Sequence, residues 1–567
     1  MTSFEGTASL ALVNGKIVTV NARFAIAKAV AIAGERIVAV GANDDIAPFI
    51  GRGTRVIDLG GRVAMPGLID AHAHMDREGL KEALPSMAGL RSVEAVVARV
   101  AELAEETEPG RWIVTMPLGG PTEFDIAPSD LAEGRWPNRH DLDRAAPRNP
   151  VYIKPAWGYW RVTMPSVAIA NSRALALANI TRATVSPVPS LIIERDASGE
   201  PTGVLFDSNR MPVLDLTLMR AAPTLDFAAR AAALPRSMQI YNSYGTTGVY
   251  EGHGVADDVR RAYQQVKASG RATVRATLAL SPAWSGAPAG DIPRLVRDWA
   301  KWLAGKGEGD EWLRVNGLFA EAGSSPEQAL RRAALPQTGW AGFNDAGLPR
   351  EALIVLLREC ARHGIRVNGI GAATLDLFEE AARAYPIAGL RWVLAHVAAL
   401  SEGDVARIRD LGLAVTTHTN GYIWRSGAAL VQSLGAGRDN DAVPLRRLLD
   451  AGVPVAFGTD NVPPSLWYPV WQAVARLDRS TNAPVALAQA LSREEALRCA
   501  TLGGAYVTFE ENDKGSLEAG KLADIAVLSQ DPLACSLDRL RHTVSDITIV
   551  GGRVVFERGV AVSHQIV

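Results

Sequence analysis

Short runs of Val, Ile and Ala alternate with glycine-centred turns near the start of the chain, in "SLALVNGKIVTV", "AVAIAGERIVAVG" and "TRVIDLGGRVAMPG". β-Branched side chains bounded by turn residues predict short strands. The same pattern returns at the end, in "GSLEAGKLADIAVLSQ" and "ITIVGGRVVFERG". The two ends, residues 1–63 and 511–567, are therefore expected to build one composite β-sandwich.

Between them, over residues 64–510, short apolar runs alternate with amphipathic segments of helical period, the pattern of parallel βα units. Eight runs read as strands: "VAMPGLIDAH", "TTGVYEG", "TVRATLAL", "RVNGLFA", "IRVNGI", "RWVLAHV", "LAVTTHT" and "VPVAFGTD". Helices are predicted at "PREALIVLLRECARHG", "SEGDVARIRDLG" and "VPLRRLLDAG", the last two closing on a glycine that fits a C-cap. Eight alternations predict an α/β fold, a (β/α)8 TIM-type barrel. The rhythm breaks once, after the first strand, where an insertion over about 76–240 holds the helix "SVEAVVARVAELAEE" and a Pro- and Trp-rich stretch. A lid or substrate wall is expected there.

Barrel enzymes carry their chemistry at the C-terminal ends of the strands. In this chain those ends present His72 and His74, Glu251 and His253, Glu321, Asn368, His396, His418 and Asp460. Of nine histidines, five fall there, which argues for a shared task rather than scatter. Side chains at i and i+2 of an extended segment point the same way, so His72 and His74 can face one ion. Asp460 ends an apolar strand, where a carboxylate is costly to bury unless a cation or hydrogen bonds compensate it. Two imidazoles and a carboxylate suit a divalent first-row ion with positions left for water. Such an ion acidifies water and polarises a carbonyl, and Asp460 is placed to take the water's proton as the catalytic base.

With "LVNGKIVTVN", "AIAGERIVAVG", "MPGLIDAHAH", "PNRHDLD", "ANSRALA", "GEPTGVLFD", "LLDAGVPVAFGTDN" and "GSLEAGKLADIAVL", the chain resembles the amidohydrolase superfamily nearly end to end. The likeness is greatest to its YtcJ-like branch, which includes N-substituted formamide deformylases. The resemblance implies a metal-binding barrel with a composite β-sandwich, and hydrolysis of a C–N bond. In the family pattern the HxH pair and the last aspartate hold one metal, and these map onto His72, His74 and Asp460. A carboxylated lysine on the fourth strand and histidines on the fifth and sixth hold a second. Here the lysine position is Gly317 and the fifth-strand histidine position is Asn368; His396 remains on the sixth. The expectation is therefore one ion, zinc ahead of iron or manganese, on His72, His74 and Asp460 with His396 as fourth ligand. Glu321, or Glu251 with His253, are the candidates to replace what is missing.

Aromatic residues suggest a small apolar or aromatic substrate, with Trp160, Trp424 and Trp467 expected to line its site beside Asn368 and His418. With 59 basic and 61 acidic side chains and a net charge of −2, nucleic acid and anionic membrane are not expected partners. No apolar run approaches the roughly 18 residues of a membrane span, and a cytoplasmic protein is expected. Three isolated cysteines predict neither a disulfide framework nor a thiolate zinc site. A homodimer is expected from the resemblance. Two other readings stay open: non-hydrolytic chemistry at a single iron or manganese, such as decarboxylation, C–C cleavage or redox turnover, and a binding-only member of the family.

Overall fold

The computed structural model describes residues 6–120, 123–284, 289–323 and 325–560. Eight parallel strands pair in chain order: β1 (Leu68–Asp70), β2 (Thr246–Val255), β3 (Arg275–Leu280), β4 (Leu313–Phe319), β5 (Val367–Ile370), β6 (Val393–Ala395), β7 (Ala414–Thr417) and β8 (Val455–Phe457). The sheet returns on itself: Ala71 N–H donates to the Phe457 carbonyl at 2.9 Å, and Asp460 N–H to the His72 carbonyl at 3.0 Å. This is a TIM-type barrel, and each strand overlaps one of the eight runs that the apolar pattern marks out, β2 running three residues past its run and β4 starting one residue before.

The helices follow from the same local rules. Glu402–Asp410 starts at Ser401, whose hydroxyl accepts from Asp404 N–H while the Asp404 carboxylate accepts from Ser401 N–H, a reciprocal cap. Arg350–Arg362 and Leu445–Asp450 occupy the other two predicted segments.

Small side chains dominate the barrel interior, where Ala71, Ala279, Ala395, Ala414 and Ala456 cluster with Val393, Val507 and Tyr250. Bulky branched residues are the usual filling of such a barrel. Here the Tyr250 ring takes up that volume, with the buried Arg366 guanidinium 4.7 Å from its centroid.

Strands from both ends of the chain share a six-stranded sheet: Arg553–Glu557, Ser545–Val550, Ile525–Leu528, Val63–Pro66, Lys16–Val18 and Ile26–Ala27, in that order. A four-stranded sheet holds Arg36–Gly41, Ala29–Ala33, Leu10–Val13 and Arg55–Asp58. Leu10, Leu12, Val30 and Ile32 of the second sheet form one apolar cluster with Ile525, Val527, Ile547 and Ile549 of the first. Buried Arg275 on β3 donates to the Asp524 carboxylate at 2.8 Å, tying the barrel to the C-terminal strands.

Two compact units divide the chain; Met1–Met75, Pro235–Ala322 and Leu348–Val567 form the first, which contains the barrel and both terminal sheets. The second comprises Asp76–Leu234 and Gly323–Gly347. Within it a five-stranded sheet orders Leu191–Arg195, Pro201–Asp207, Ser166–Ala170, Val151–Ile153 and Ile113–Thr115. The helix Val93–Glu106 packs Val96, Val100 and Leu103 into this unit's core, and Ser92 caps it by accepting from Ala95 N–H. The periodicity gives no sign that Gly323–Gly347 belongs with this unit. Among the described residues, no helix is long and apolar enough to cross a membrane.

Candidate metal centre

His72 and His74 follow directly on β1 and are buried, at 2% and 4% exposure. Asp70 sets the chain's path into them. Its carboxylate accepts from His72 N–H at 3.2 Å, from Thr459 N–H at 3.0 Å and from the Thr459 hydroxyl at 2.5 Å, locking the end of β1 to the end of β8. Burial pushes this carboxyl up to about 6. The Asn461 side chain accepts from His74 N–H at 3.0 Å and from the Tyr241 hydroxyl at 2.7 Å, which fixes the second histidine's backbone.

Around these two imidazoles the other strand ends converge. His72 Nε2 stands 3.0 Å from His396 Nε2, and His396 Nδ1 is 3.1 Å from the Tyr422 hydroxyl. His74 Nε2 is 3.1 Å from Asp460 Oδ1, and His418 Nε2 lies 3.8 Å from Asp460 Oδ2. Glu251 is buried behind His74: its Oε1 accepts from Met75 N–H at 2.9 Å and from the Tyr263 hydroxyl at 2.6 Å, and its Oε2 is 3.9 Å from His74 Nδ1.

Electrostatics set the His72, His396 and His418 rings apart from the Asp460 carboxylate. Burial, then the neighbouring His396, holds the His72 imidazole well below its ordinary value; burial lowers His396, and it brings His418 down to about 3. Burial by itself would raise the Asp460 carboxyl. The His74 hydrogen bond, with His396 and His418 close by, outweighs it and keeps Asp460 ionised. Neutral imidazoles with lone pairs beside a carboxylate are the donor set a divalent cation takes.

Among the described residues, two groups bring ligand atoms within 4.8 Å of one another: His72, His396 and Asp460, and His72, His74 and His253. His72 Nδ1 is buried with no hydrogen-bond partner among the described residues, although a buried imidazole nitrogen ordinarily has one. The residues present therefore fit a divalent cation.

The remaining expected site residues are placed as follows. Asn368 is fully buried; its Oδ1 accepts from the Tyr250 hydroxyl at 2.9 Å and its Nδ2 donates to the Leu318 carbonyl at 3.3 Å, so its amide is engaged inside the barrel. Glu321 follows β4, is partly exposed and belongs to neither group. His418 joins the cluster, its ring 4.6 Å from that of Tyr422. Trp424 packs edge-on against Trp471 at 5.0 Å with the Arg541 guanidinium over both rings, and Trp467 is buried, donating to the Tyr244 carbonyl at 3.0 Å. Trp160 lies in the second unit, buried against Trp340 and Phe124 with Lys81 Nζ 4.6 Å from its ring centroid. Tyr422, Tyr263, Thr459 and Asn461 were not singled out in the sequence. Only Thr459 and Asn461, flanking Asp460 in "GTDN", carry a signal that could have drawn attention.

A TIM-type barrel whose C-terminal strand ends gather imidazoles around a carboxylate defines a metal-binding barrel hydrolase. Comparison with known proteins makes this specific: residues 55–556 match the Amidohydrolase family, and the chain belongs to that family. The chain is 27% identical to the N-substituted formamide deformylase of Arthrobacter pascens, over 97% of this chain and 98% of that one. It is 25% identical to the putative amidohydrolase YtcJ of Bacillus subtilis, over 89% and 91% of the two chains. The crystal structure of an uncharacterized metal-dependent hydrolase from Pyrococcus furiosus shares the fold, with a TM-score of 0.65 and 23% identity over 92% of this chain and 99% of that one. The protein is thus an enzyme, a hydrolase acting on carbon–nitrogen bonds.

Proposed function

We propose that this enzyme hydrolyses the C–N bond of a small amide, formamide or lactam carrying an apolar or aromatic substituent, using one divalent cation, zinc in the first instance, held by His72, His74, His396 and Asp460. The observation that carries the reading is the approach of His72, His396 and Asp460, from β1, β6 and β8, to within 4.8 Å of one another. The full-length match to a formamide deformylase supports the substrate class.

A cation bound there acidifies water and polarises the substrate carbonyl. The chain's own groups do the rest. Asp460, ionised and held by His74, takes the proton of the attacking water and returns it to the departing nitrogen. His418, neutral and 3.8 Å from Asp460 Oδ2, steadies the carboxylate through that transfer. Tyr422 sets the orientation of His396 through Nδ1. The two terminal sheets, whose side chains share one apolar cluster, read as a composite β-sandwich of residues 1–63 and 511–567 that supports the barrel of residues 64–510.

A panel of N-substituted formamides, simple amides and lactams, assayed for amine release with the wild type and Asp460→Asn, tests the proposal. Turnover of at least one class by the wild type is expected, falling by about three orders of magnitude or more in Asp460→Asn with an unchanged circular dichroism spectrum. Equal turnover by the two proteins would overturn the role given to Asp460.

A further inference from the structure

The end of β2 is irregular. Glu251 pairs with Leu278 of β3 and Val255 with Leu280, so Gly252, His253 and Gly254 stand against Ala279 alone. A bulge of this kind bends a strand and re-aims its side chains, and bulges concentrate beside active sites. Gly254 makes it possible: its φ is +85°, and a Cβ there would come 2.8 Å from the Ser281 backbone nitrogen. The residue carried by the bulge is His253. Its ring stacks on Phe319 of β4 at 4.2 Å with the planes 17° apart, and its centroid lies 5.5 Å from that of His74 and 6.0 Å from that of His72.

Among the described residues, neither β4 nor β5 places a side chain in either group of ligand atoms. On β4 the pairing with β3 slips at Asn316 and Gly317; Gly317 has φ +82°, and a Cβ there would lie 2.7 Å from the Arg366 carbonyl, so no longer side chain fits. On β5 the Asn368 amide is engaged by Tyr250 and Leu318. The side of the cluster facing these strands is served from β2, while β4 provides the aromatic platform.

We propose that His253 is a cation ligand, and that with His72 and His74 it forms a three-imidazole cation position separate from the His72–His396–Asp460 set. Three imidazoles favour zinc, copper, nickel or cobalt(II) over magnesium or calcium. Both sets share His72, and the reading above places one cation per chain. The proposal rests on the metal-dependent reading above and refines where the metal can sit.

Cobalt(II) titration followed by its visible ligand-field absorption and by chelator competition tests it without reference to turnover. In the double variant His396→Gln/Asp460→Asn, which disables the carboxylate-containing set, a single cobalt is expected to bind still, with the spectrum of a nitrogen-rich site. Adding His253→Gln to that double variant should abolish binding. Alone, His253→Gln leaves the carboxylate-containing set whole, so it should still bind one cobalt, without the nitrogen-rich component of the spectrum. In the double-variant background, Phe319→Ala, which keeps the imidazole and removes its platform, should weaken binding less than His253→Gln does. If the folded double variant binds no cobalt, or the triple variant binds as well as the double, His253 is not a ligand. If the wild type itself binds neither cobalt nor zinc, it is the metal-dependent reading that fails.

Discussion

Two of the cluster's residues hold backbone conformations that L side chains seldom adopt: φ is +55° at His396 and +52° at Asp460. Strain of this kind costs on the order of 1–3 kcal/mol per residue and persists where the surroundings over-determine it. The surroundings of Asp460 do so, with Asp70 and Thr459 locking β8 to β1 one residue earlier. Gly458 belongs to the same lock, since a Cβ there would stand 2.4 Å from the Cβ of His72. Neither partner can retreat, both being tied to the barrel backbone. Gly458→Ala is thus expected to lower stability by about 1–3 kcal/mol and to impair metal retention, read as a lower denaturant midpoint and a lower metal content after gel filtration. Wild-type values in both would show that β8 has room to move.

Among the elements, the barrel strands were readable in the sequence because parallel strands, covered on both faces, become short continuous apolar runs. "RWVLAHV" and "VPVAFGTD" are of this kind, and each carries a residue of the cluster at its end or one position before it. The bulges on β2 and β4 were not readable. They arise from a mismatch in length between adjacent strands, and the sequence carries only the glycines that permit them, in "GHG" and "NG". Side-chain partners across elements were equally hidden, as with the Tyr422 hydroxyl at His396 or the Tyr250 hydroxyl that occupies Asn368.

Helix docking gives a separate, pH-dependent expectation. Glu495 sits in the first turn of Arg493–Cys499, accepts from Ser492 N–H at 2.8 Å, and pairs with both terminal nitrogens of Arg446 on Leu445–Asp450 at 2.7 and 2.5 Å. The Arg446 hydrogen bonds pull its carboxyl down to about 2 from 4.5. A carboxyl with a depressed folded value adds stability above its unfolded value and loses that contribution as pH falls through the folded one. Wild type should therefore melt above Glu495→Gln at pH 6, with the gap closing as the pH falls from 4.5 towards 2. A gap that does not vary with pH would show that the ion pair contributes nothing to docking.

At the scale of the whole molecule, the sequence marked the terminal segments as strands by local composition, while their interleaving in one six-stranded sheet depends on pairing between residues several hundred positions apart, such as Ile525 with Pro66. The joining of Gly323–Gly347 to the second unit is similarly long-range, with Arg331 and Asp345 paired at 2.8 Å inside that segment and Trp340 donating to the Pro155 carbonyl at 3.0 Å. The cluster itself gathers side chains from β1, β2, β6, β7 and β8, so its members are spread from residue 72 to residue 460 and meet only because the barrel closes. Function at this scale reduces to one dependence: the closed barrel brings the donors together, and in the proposed function a cation held by them would supply the hydrolytic chemistry. The most direct measurement is the metal content of the purified protein, with amine release from N-substituted formamides followed before chelation, after it, and after zinc is restored. A single equivalent of divalent metal per chain, lost together with turnover and regained together with it, is the predicted result, and full turnover by protein shown to hold no metal would contradict the account.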